Sequence, residues 1–249
     1  MLFSKSTLII LTRNEVEGIS SLFNMLPLGM FDEVLVINGK SRDGTVEFCR
    51  SKGLKVISQR QLGRGAAFLE ATERATGEIL VFFSPDGNED PSVIPELVRL
   101  LEGGYDLAIA SRFAKNARSD DSDDPWHIRR IGNRLFTYIV NALWDAKVTD
   151  SINGFRAIKK SKLLELRQDA LGYDVELQMT IRAAKSGYRI AEVPTIEMRR
   201  IGGSRKSETW WMGVKFLKVI LKELFHHRVW RRRVHSKSVR QEPHCICLV

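Results

Sequence analysis

Short runs of consecutive apolar residues recur along this chain, each broken by a polar, glycine-bearing segment. Thr7–Leu11 (TLIIL), Glu33–Ile37 (EVLVI), Lys55–Ser58 (KVIS), Leu80–Phe83 (LVFF), Asp106–Ala110 (DLAIA) and Tyr188–Val193 (YRIAEV) have the length and composition of buried strands. Between them the apolar positions move to helical spacing. That spacing predicts helices over Gly18–Leu26, Thr45–Lys52, Gly63–Ala75, Pro95–Leu101, Pro125–Trp144 and Tyr173–Lys185. Ala157-Ile158 receives no assignment. Strands alternating with helices at this spacing imply right-handed crossovers and an α/β fold with a mostly parallel sheet flanked by helices. In such sheets the loops after the strands gather on one edge, and ligands bind there.

The loop after Leu80–Phe83 reads Ser84-Pro85-Asp86-Gly87-Asn88. It carries a carboxylate and an amide two residues apart. Such hard oxygen donors suit Mg²⁺ or Mn²⁺, which complete their shells with substrate phosphates. A plain surface turn is the alternative reading of these residues alone. Gly63-Arg64-Gly65 is either a helix-opening turn or a close approach of backbone to phosphate. Lys115–Asp124 is polar and charged, the composition of a mobile loop beside a site. Arg199–Lys206 (RRIGGSRK) is a basic glycine loop suited to phosphate oxygens.

Two helices are amphipathic. Ile128, Ile131, Leu135, Ile139 and Leu143 share one face, with Arg129, Arg130 and Arg134 elsewhere. In Trp210–Phe225 a stripe of Trp210, Val214, Leu217, Leu221 and Leu224 opposes Lys215, Lys218 and Lys222. Each reads either as a core-packing helix or as one lying on a membrane. The basic sequence RVWRRRVHSKSVR follows at 228–240.

Composition sharpens this picture in one respect. The formal charge is +9 over 249 residues, and between 199 and 240 basic residues outnumber acidic ones thirteen to two. The main body is therefore near neutral, and the C-terminal region seeks anionic surfaces. The expected division is a catalytic domain over 1–207 and an amphipathic helix with basic tail over 208–249. Three cysteines (Cys49, Cys245, Cys247) in no framework spacing argue for a reducing compartment. There is no signal-peptide pattern and no apolar run of about 18 residues.

Taken in order, these motifs resemble those of the family 2 inverting glycosyltransferases of the GT-A (Rossmann-like) fold. Within that family the chain is most similar to the dolichyl-phosphate mannose synthase group. The family's P-x-x-N-E matches Leu11–Glu15, with the proline lost. Its V-D-D-G-S-T-D-G-T matches Ile37–Thr45, with Asn38 where an acidic residue reads the base. Its D-x-D-x-N metal motif matches Ser84–Asn88, with Ser84 replacing the first Asp. Ser111-Arg112, the acceptor segment Asp150–Arg156 and the R-x-x-G-x-S-K loop at Arg199–Arg205 complete the resemblance.

The resemblance implies donor binding by Thr12, Asn14, Glu15, Asn38, Gly39, Ser41, Gly63, Gly65, Ser84 and Asp86. It implies Mg²⁺ or Mn²⁺ at Asp86 and Asn88, and catalysis by Asp86, Arg112, Arg199 and Arg205. The implied reaction moves mannose or glucose from GDP-mannose or UDP-glucose to a polyprenyl or dolichyl phosphate. It would proceed at the cytoplasmic face of a membrane by a peripheral enzyme, with a membrane-embedded partner as an option. The acceptor phosphate has a second pKa of about 6, so it needs no general base. Alternatives are a family 2 enzyme with another acceptor, and a non-catalytic relative with a degenerate metal motif. Nucleic-acid binding has only the basic tail in its favour.

Overall fold

The computed structural model describes residues 4–119, 128–201 and 209–238. The elements in chain order are β1 (Ser6–Thr12), α1 (Val16–Leu22), β2 (Glu33–Asn38), α2 (Thr45–Ser51), β3 (Lys55–Ser58), α3 (Arg64–Arg74) and β4 (Ile79–Phe83). They continue as α4 (Ile94–Glu102), β5 (Leu107–Ser111), β6 (Arg118–Ser119), α5 (Ile128–Trp144), β7 (Arg156–Lys159) and α6 (Lys160–Glu165). The last are α7 (Val175–Lys185), β8 (Ile190–Pro194), β9 (Ile196–Glu197) and α8 (Thr209–Ser238).

Seven strands form one sheet in the order β3-β2-β1-β4-β7-β5-β8. All pairings are parallel except those of β7, which runs antiparallel between β4 and β5. The α/β, mostly parallel reading of the sequence therefore holds. The strand over 156–159 carries no sequence signal of its own, because its apolar core is only Ala157-Ile158 and Arg156 opens it. Arg156 is nevertheless fully buried, with burial pulling its pKa down to about 10. Its guanidinium donates to the Asn153 and Glu176 carbonyls and to Thr180, which substitute for water.

Alternate residues of the central strands serve two cores. Leu8, Ile10, Val36, Val81, Phe83 and Ala108 pack against α1 and α4. Ile9, Leu11, Leu35, Leu80, Phe82 and Ile109 pack against the α3, α5, α7 and α8 side. This period-2 division of nearly continuous apolar runs is what burial on both faces requires. α4 shows the matching helical logic. Ile94, Leu97, Val98 and Leu101 are its buried face, and Pro95 sits in its first turn.

The third dimension adds detail to both amphipathic helices. α8, assigned to a segment beyond position 207, contributes Phe216, Val219 and Ile220 to the second of these cores. Its buried Glu223 pairs with Arg182 and Lys185 of α7. Of the two readings of its stripe, Leu217, Leu221 and Leu224 face outward, and Trp211 and Phe225 are exposed on the same helix. The α5 stripe behaves alike: Ile128, Ile131, Leu135 and Leu143 are exposed, while Thr137, Val140 and Trp144 are buried. Of the loop at 115–124, only its first five residues are described. They include β6, which pairs with β9. Arg205 lies outside the described residues.

Candidate active site

All six parallel strands end on the same edge of the sheet, at Thr12, Asn38, Ser58, Phe83, Ser111 and Pro194. Antiparallel β7 begins there. The loops converge on a cavity of about 670 Å³, roofed by Ile128, Arg129, Gly132, Asn133 and Phe136 of α5 and by Met212, Gly213 and Phe216 of α8. Phe136 and Phe216 meet edge-to-face at 5.3 Å, tying the two roof helices together.

At the cavity floor is the turn after β4. Its shape depends on two glycines. Gly18 of α1 leaves no room for a Cβ against the Pro85 carbonyl. Gly87, at φ +95°, lies under the segment 199–201, where a Cβ would fall 2.6 Å from the Ile201 nitrogen. That segment is clamped across the turn. The Ile201 amide donates to the Asp86 carbonyl at 2.8 Å, and the Met198 amide donates to the Asn88 carbonyl at 3.3 Å. Arg200 then reaches Asp86 Oδ2 through Nη2 at 2.8 Å. Its Nη1 is 3.9 Å from Glu15. Asp86 Oδ1 accepts the Asn88 amide at 3.1 Å.

Behind the turn, Ser84 and Glu89 close an internal loop, with the Ser84 amide donating to the Glu89 carboxylate at 2.7 Å. Burial pushes the Glu89 pKa up to about 8, with Arg64 opposing and Asp86 adding to the rise. Arg64 joins the two halves of the site. It is ion-paired with Glu176 of α7 and donates to the Ser84 hydroxyl at 2.9 Å. Burial works against its charge, but Glu176 and Glu89 outweigh it and hold its pKa above the ordinary value.

On the other side, Arg112 grips the buried Asp150 through Nε at 2.7 Å and Nη2 at 3.0 Å. Its Nη1 lies 3.9 Å from Glu197, which Arg129 approaches at 3.4 Å. Burial tends to raise the Asp150 pKa, but Arg112 and amide donors bring it below the usual carboxylate value. The Arg112 pKa is held above its own, because Asp150 outweighs the burial.

A family model described as Glycosyl transferase family 2 matches residues 7–167. The chain belongs to glycosyl transferase family 2. Its matched region carries β1 to β7 and hence most of this cavity's floor. Among curated family relatives, the dolichyl-phosphate hexose transferase of Haloferax volcanii is 30% identical over 198 residues, covering 79% of this chain and 83% of that one. Glycosyltransferase AglJ of the same organism is 29% identical over 194 residues, 78% of this chain and 63% of that one. The dolichol-phosphate mannosyltransferase of Pyrococcus furiosus is 26% identical over 211 residues, 81% of this chain and 59% of that one. The chain thus spans about six tenths of two of these three relatives.

A solved glucosyl-3-phosphoglycerate synthase from Mycobacterium tuberculosis, in complex with Mn²⁺, UDP and phosphoglyceric acid, superimposes with a TM-score of 0.71. It is 22% identical and covers 90% of this chain and 78% of that one. The likeness establishes the GT-A fold.

Of the residues that the family motifs single out, Thr12, Glu15, Gly63, Ser84, Asp86, Asn88 and Arg112 line the cavity. Asn14, Asn38 and Ser41 instead brace its rim. The Ser41 hydroxyl donates to the Asn38 amide oxygen at 2.6 Å and accepts the Asn14 amide at 2.9 Å, while the Gly39 amide donates to Thr12. Gly65 packs against 170–172, where its amide donates to the Leu171 and Gly172 carbonyls. That amide is committed within the protein, which departs from the phosphate-cradle reading of the Gly-Arg-Gly loop. Arg199 is exposed and off the lining, whereas its neighbour Arg200 faces Asp86. A basic pair in a loop does not reveal which member points inward. Glu176 is visible in the sequence only as one acid on a helix, 112 positions from the arginine it meets.

Among the described residues no three acidic, histidine or cysteine side chains converge to hold a metal unaided. Asp86 and Asn88 both face the cavity and offer oxygen donors. They fit a divalent ion whose remaining ligands come from phosphates.

Proposed function

We propose that this chain is a nucleotide-sugar-dependent hexosyltransferase that glycosylates a polyprenyl phosphate at a membrane surface, with inversion at the anomeric carbon. The observation that carries the reading is the outward apolar face of α5 and α8, the two helices that roof the cavity. Tyr138 is 71% and Phe225 79% exposed, and Ile131, Leu135, Trp211 and Leu221 are exposed on the same two helices. A lipid acceptor would place these faces in the headgroup region and its phosphate in the cavity beneath. The names of the dolichyl-phosphate transferase relatives support the same acceptor class. No described helix is long and apolar enough to cross a membrane. A peripheral position at the cytoplasmic face belongs to this proposal.

The chemistry needs no catalytic triad. An acceptor phosphate oxygen, anionic at pH 7, attacks C1 of the sugar in line. The bond from C1 to the donor's β-phosphate oxygen breaks, and its electrons leave with the nucleoside diphosphate. The protein must hold two anionic phosphates close together, and Arg112, Arg129 and Arg200 line the cavity for that purpose. Asp86 and Asn88 would hold Mg²⁺ or Mn²⁺, whose charge stabilises the departing diphosphate when bound. The first acid of the metal motif is Ser84 here, so the protein supplies a single carboxylate to that ion.

The test is transfer of labelled sugar to a short polyprenyl phosphate in liposomes. GDP-mannose and UDP-glucose are offered in parallel with Mn²⁺, Mg²⁺ or EDTA, beside Asp86→Ala. A lipid-linked product that Asp86→Ala abolishes is expected. Donor hydrolysis without lipid product would transfer the reading to another acceptor. Absence of donor binding under every metal condition would overturn it in favour of a non-catalytic relative.

A further inference from the structure

We infer that Arg200 is a placeholder cation: it occupies Asp86 in the absence of donor and passes to the donor diphosphate when a metal takes its place. The inference rests on the reading of Asp86 and Asn88 as metal ligands. It begins with an ion pair where a metal-binding carboxylate is expected to be available. Asp86 Oδ2 is bound by Arg200 Nη2 at 2.8 Å, and Asp86 Oδ1 accepts the Asn88 amide. Both oxygens of the one carboxylate in the metal motif are therefore engaged.

The neighbours do not offer a replacement. Ser84 stands where a second carboxylate would be, and its hydroxyl accepts from the buried Arg64. Glu89 also lines the cavity, but its Oε2 is engaged by the Ser84 amide. A divalent ion arriving alone must displace a guanidinium from its carboxylate and leave that guanidinium inside the protein. Arg200 is already poorly compensated. Its Nη1 is buried without a hydrogen bond among the described residues, with the Glu15 carboxylate at 3.9 Å. Losing Asp86 as well would leave a partly buried guanidinium whose remaining acidic neighbour among the described residues is Glu15 at 3.9 Å, an unfavourable state.

A nucleoside diphosphate removes that cost. It brings oxygens that accept bidentately from a guanidinium and also ligate the ion. The backbone carrying Arg200 is fixed over the turn by the Ile201 and Met198 hydrogen bonds and by the bare Cα of Gly87. Only the side chain would have to move, from the carboxylate to phosphates bound in the cavity it lines. Metal and nucleotide then bind as a pair, each raising the other's affinity by the same factor. The surrounding charge suits this exchange. Asp86 with Arg200 is neutral, and so is the assembly in which one carboxylate, one arginine and a divalent ion meet the diphosphate of a nucleotide sugar, each of whose phosphates is a singly charged diester.

A purely structural ion pair makes a different prediction. It would be lost on substitution with a drop in stability, but nucleotide affinity would be unchanged. Mn²⁺ held by the protein, measured by equilibrium dialysis against a chamber with the same Mn²⁺ and nucleotide but no protein, separates the two. The full chain is titrated with Mn²⁺ alone and again with saturating GDP or UDP. For the wild type, the expected result is weak binding of Mn²⁺ alone and at least tenfold tighter binding with one of the nucleotides. Arg200→Gln should bind Mn²⁺ alone about tenfold more tightly than the wild type and lose nucleotide affinity. Arg200→Lys keeps a cation beside Asp86 and should leave Mn²⁺ alone weakly bound.

Unchanged or weaker Mn²⁺ binding by a folded Arg200→Gln, with Asp86→Asn still abolishing nucleotide-dependent binding, would overturn the placeholder and spare the metal site. Failure of the wild type to bind Mn²⁺ with either nucleotide would overturn both. The wild-type coupling stands as a test even if the glutamine variant does not fold, because its absence alone refutes the exchange.

Discussion

Arg112 holds Asp150 with two parallel hydrogen bonds across 38 positions of sequence, joining the end of β5 to the loop before β7. The carboxylate is fully buried and also accepts the Ile152 and Asn153 amides. Removing it leaves a buried guanidinium, so Asp150→Ala should destabilise the protein by about 3 kcal/mol or more. The pH dependence follows from the direction of the shift. The folded Asp150 pKa is depressed, so its contribution is complete above the unfolded value of about 3.9 and is lost as pH falls through the folded value. Urea midpoints of wild type and variant should differ at pH 7 and converge in acid. A constant difference down to the lowest pH would show that the charge is not the cause.

Gly65 has a stringent role that can be isolated. A Cβ there would run into the Ala170 carbonyl, and the Gly65 amide is already committed to the same loop. Gly65→Ala should cost about 1–3 kcal/mol, the scale of overpacking in a tight contact. Gly29 meets nothing within 4 Å, so Gly29→Ala is the matched control. Its expected effect is within about 0.5 kcal/mol. Thermal melts of the two variants check this, and equal melting temperatures would refute the packing argument.

The roof helices make a separate prediction. Leu135 is exposed on α5 and Leu221 on α8. Leu135→Glu and Leu221→Glu should each reduce partition onto anionic liposomes by about tenfold, the loss of one leucine's burial plus added repulsion. Their melting temperatures should change little. Sedimentation with vesicles provides the measurement, and unchanged partition for both variants would remove the membrane from the proposed reaction.

Much of the fold was legible because the central strands are short apolar runs between helical periods. Leu80–Phe83 and Lys55–Ser58 differ from their observed limits by one residue or none. β7 escaped for a physical reason. It is short, bounded by Arg156 and Lys159, and stabilised by pairing with strands on both sides rather than by its own composition. The helical stripes were legible as stripes but not as to direction. On α8, Leu217 and Leu221 look as suitable for a core as Phe216 and Ile220, and only α7 and α5 decide which set is covered.

The sequence by itself determined the alternation of strands and helices, the collection of polar loops at one edge, and the placement of Asp86 and Asn88 in one of those loops. These follow from local periodicity and turn chemistry, which neighbouring residues carry between them. The tertiary structure alone decided that Arg200, rather than Arg199, meets Asp86, and that Arg64 joins Ser84 to Glu176. It also decided that α5 and α8 turn apolar faces outward above the cavity. Each of these is a contact between segments far apart in the chain, and its partner is chosen by packing geometry, which no local pattern encodes.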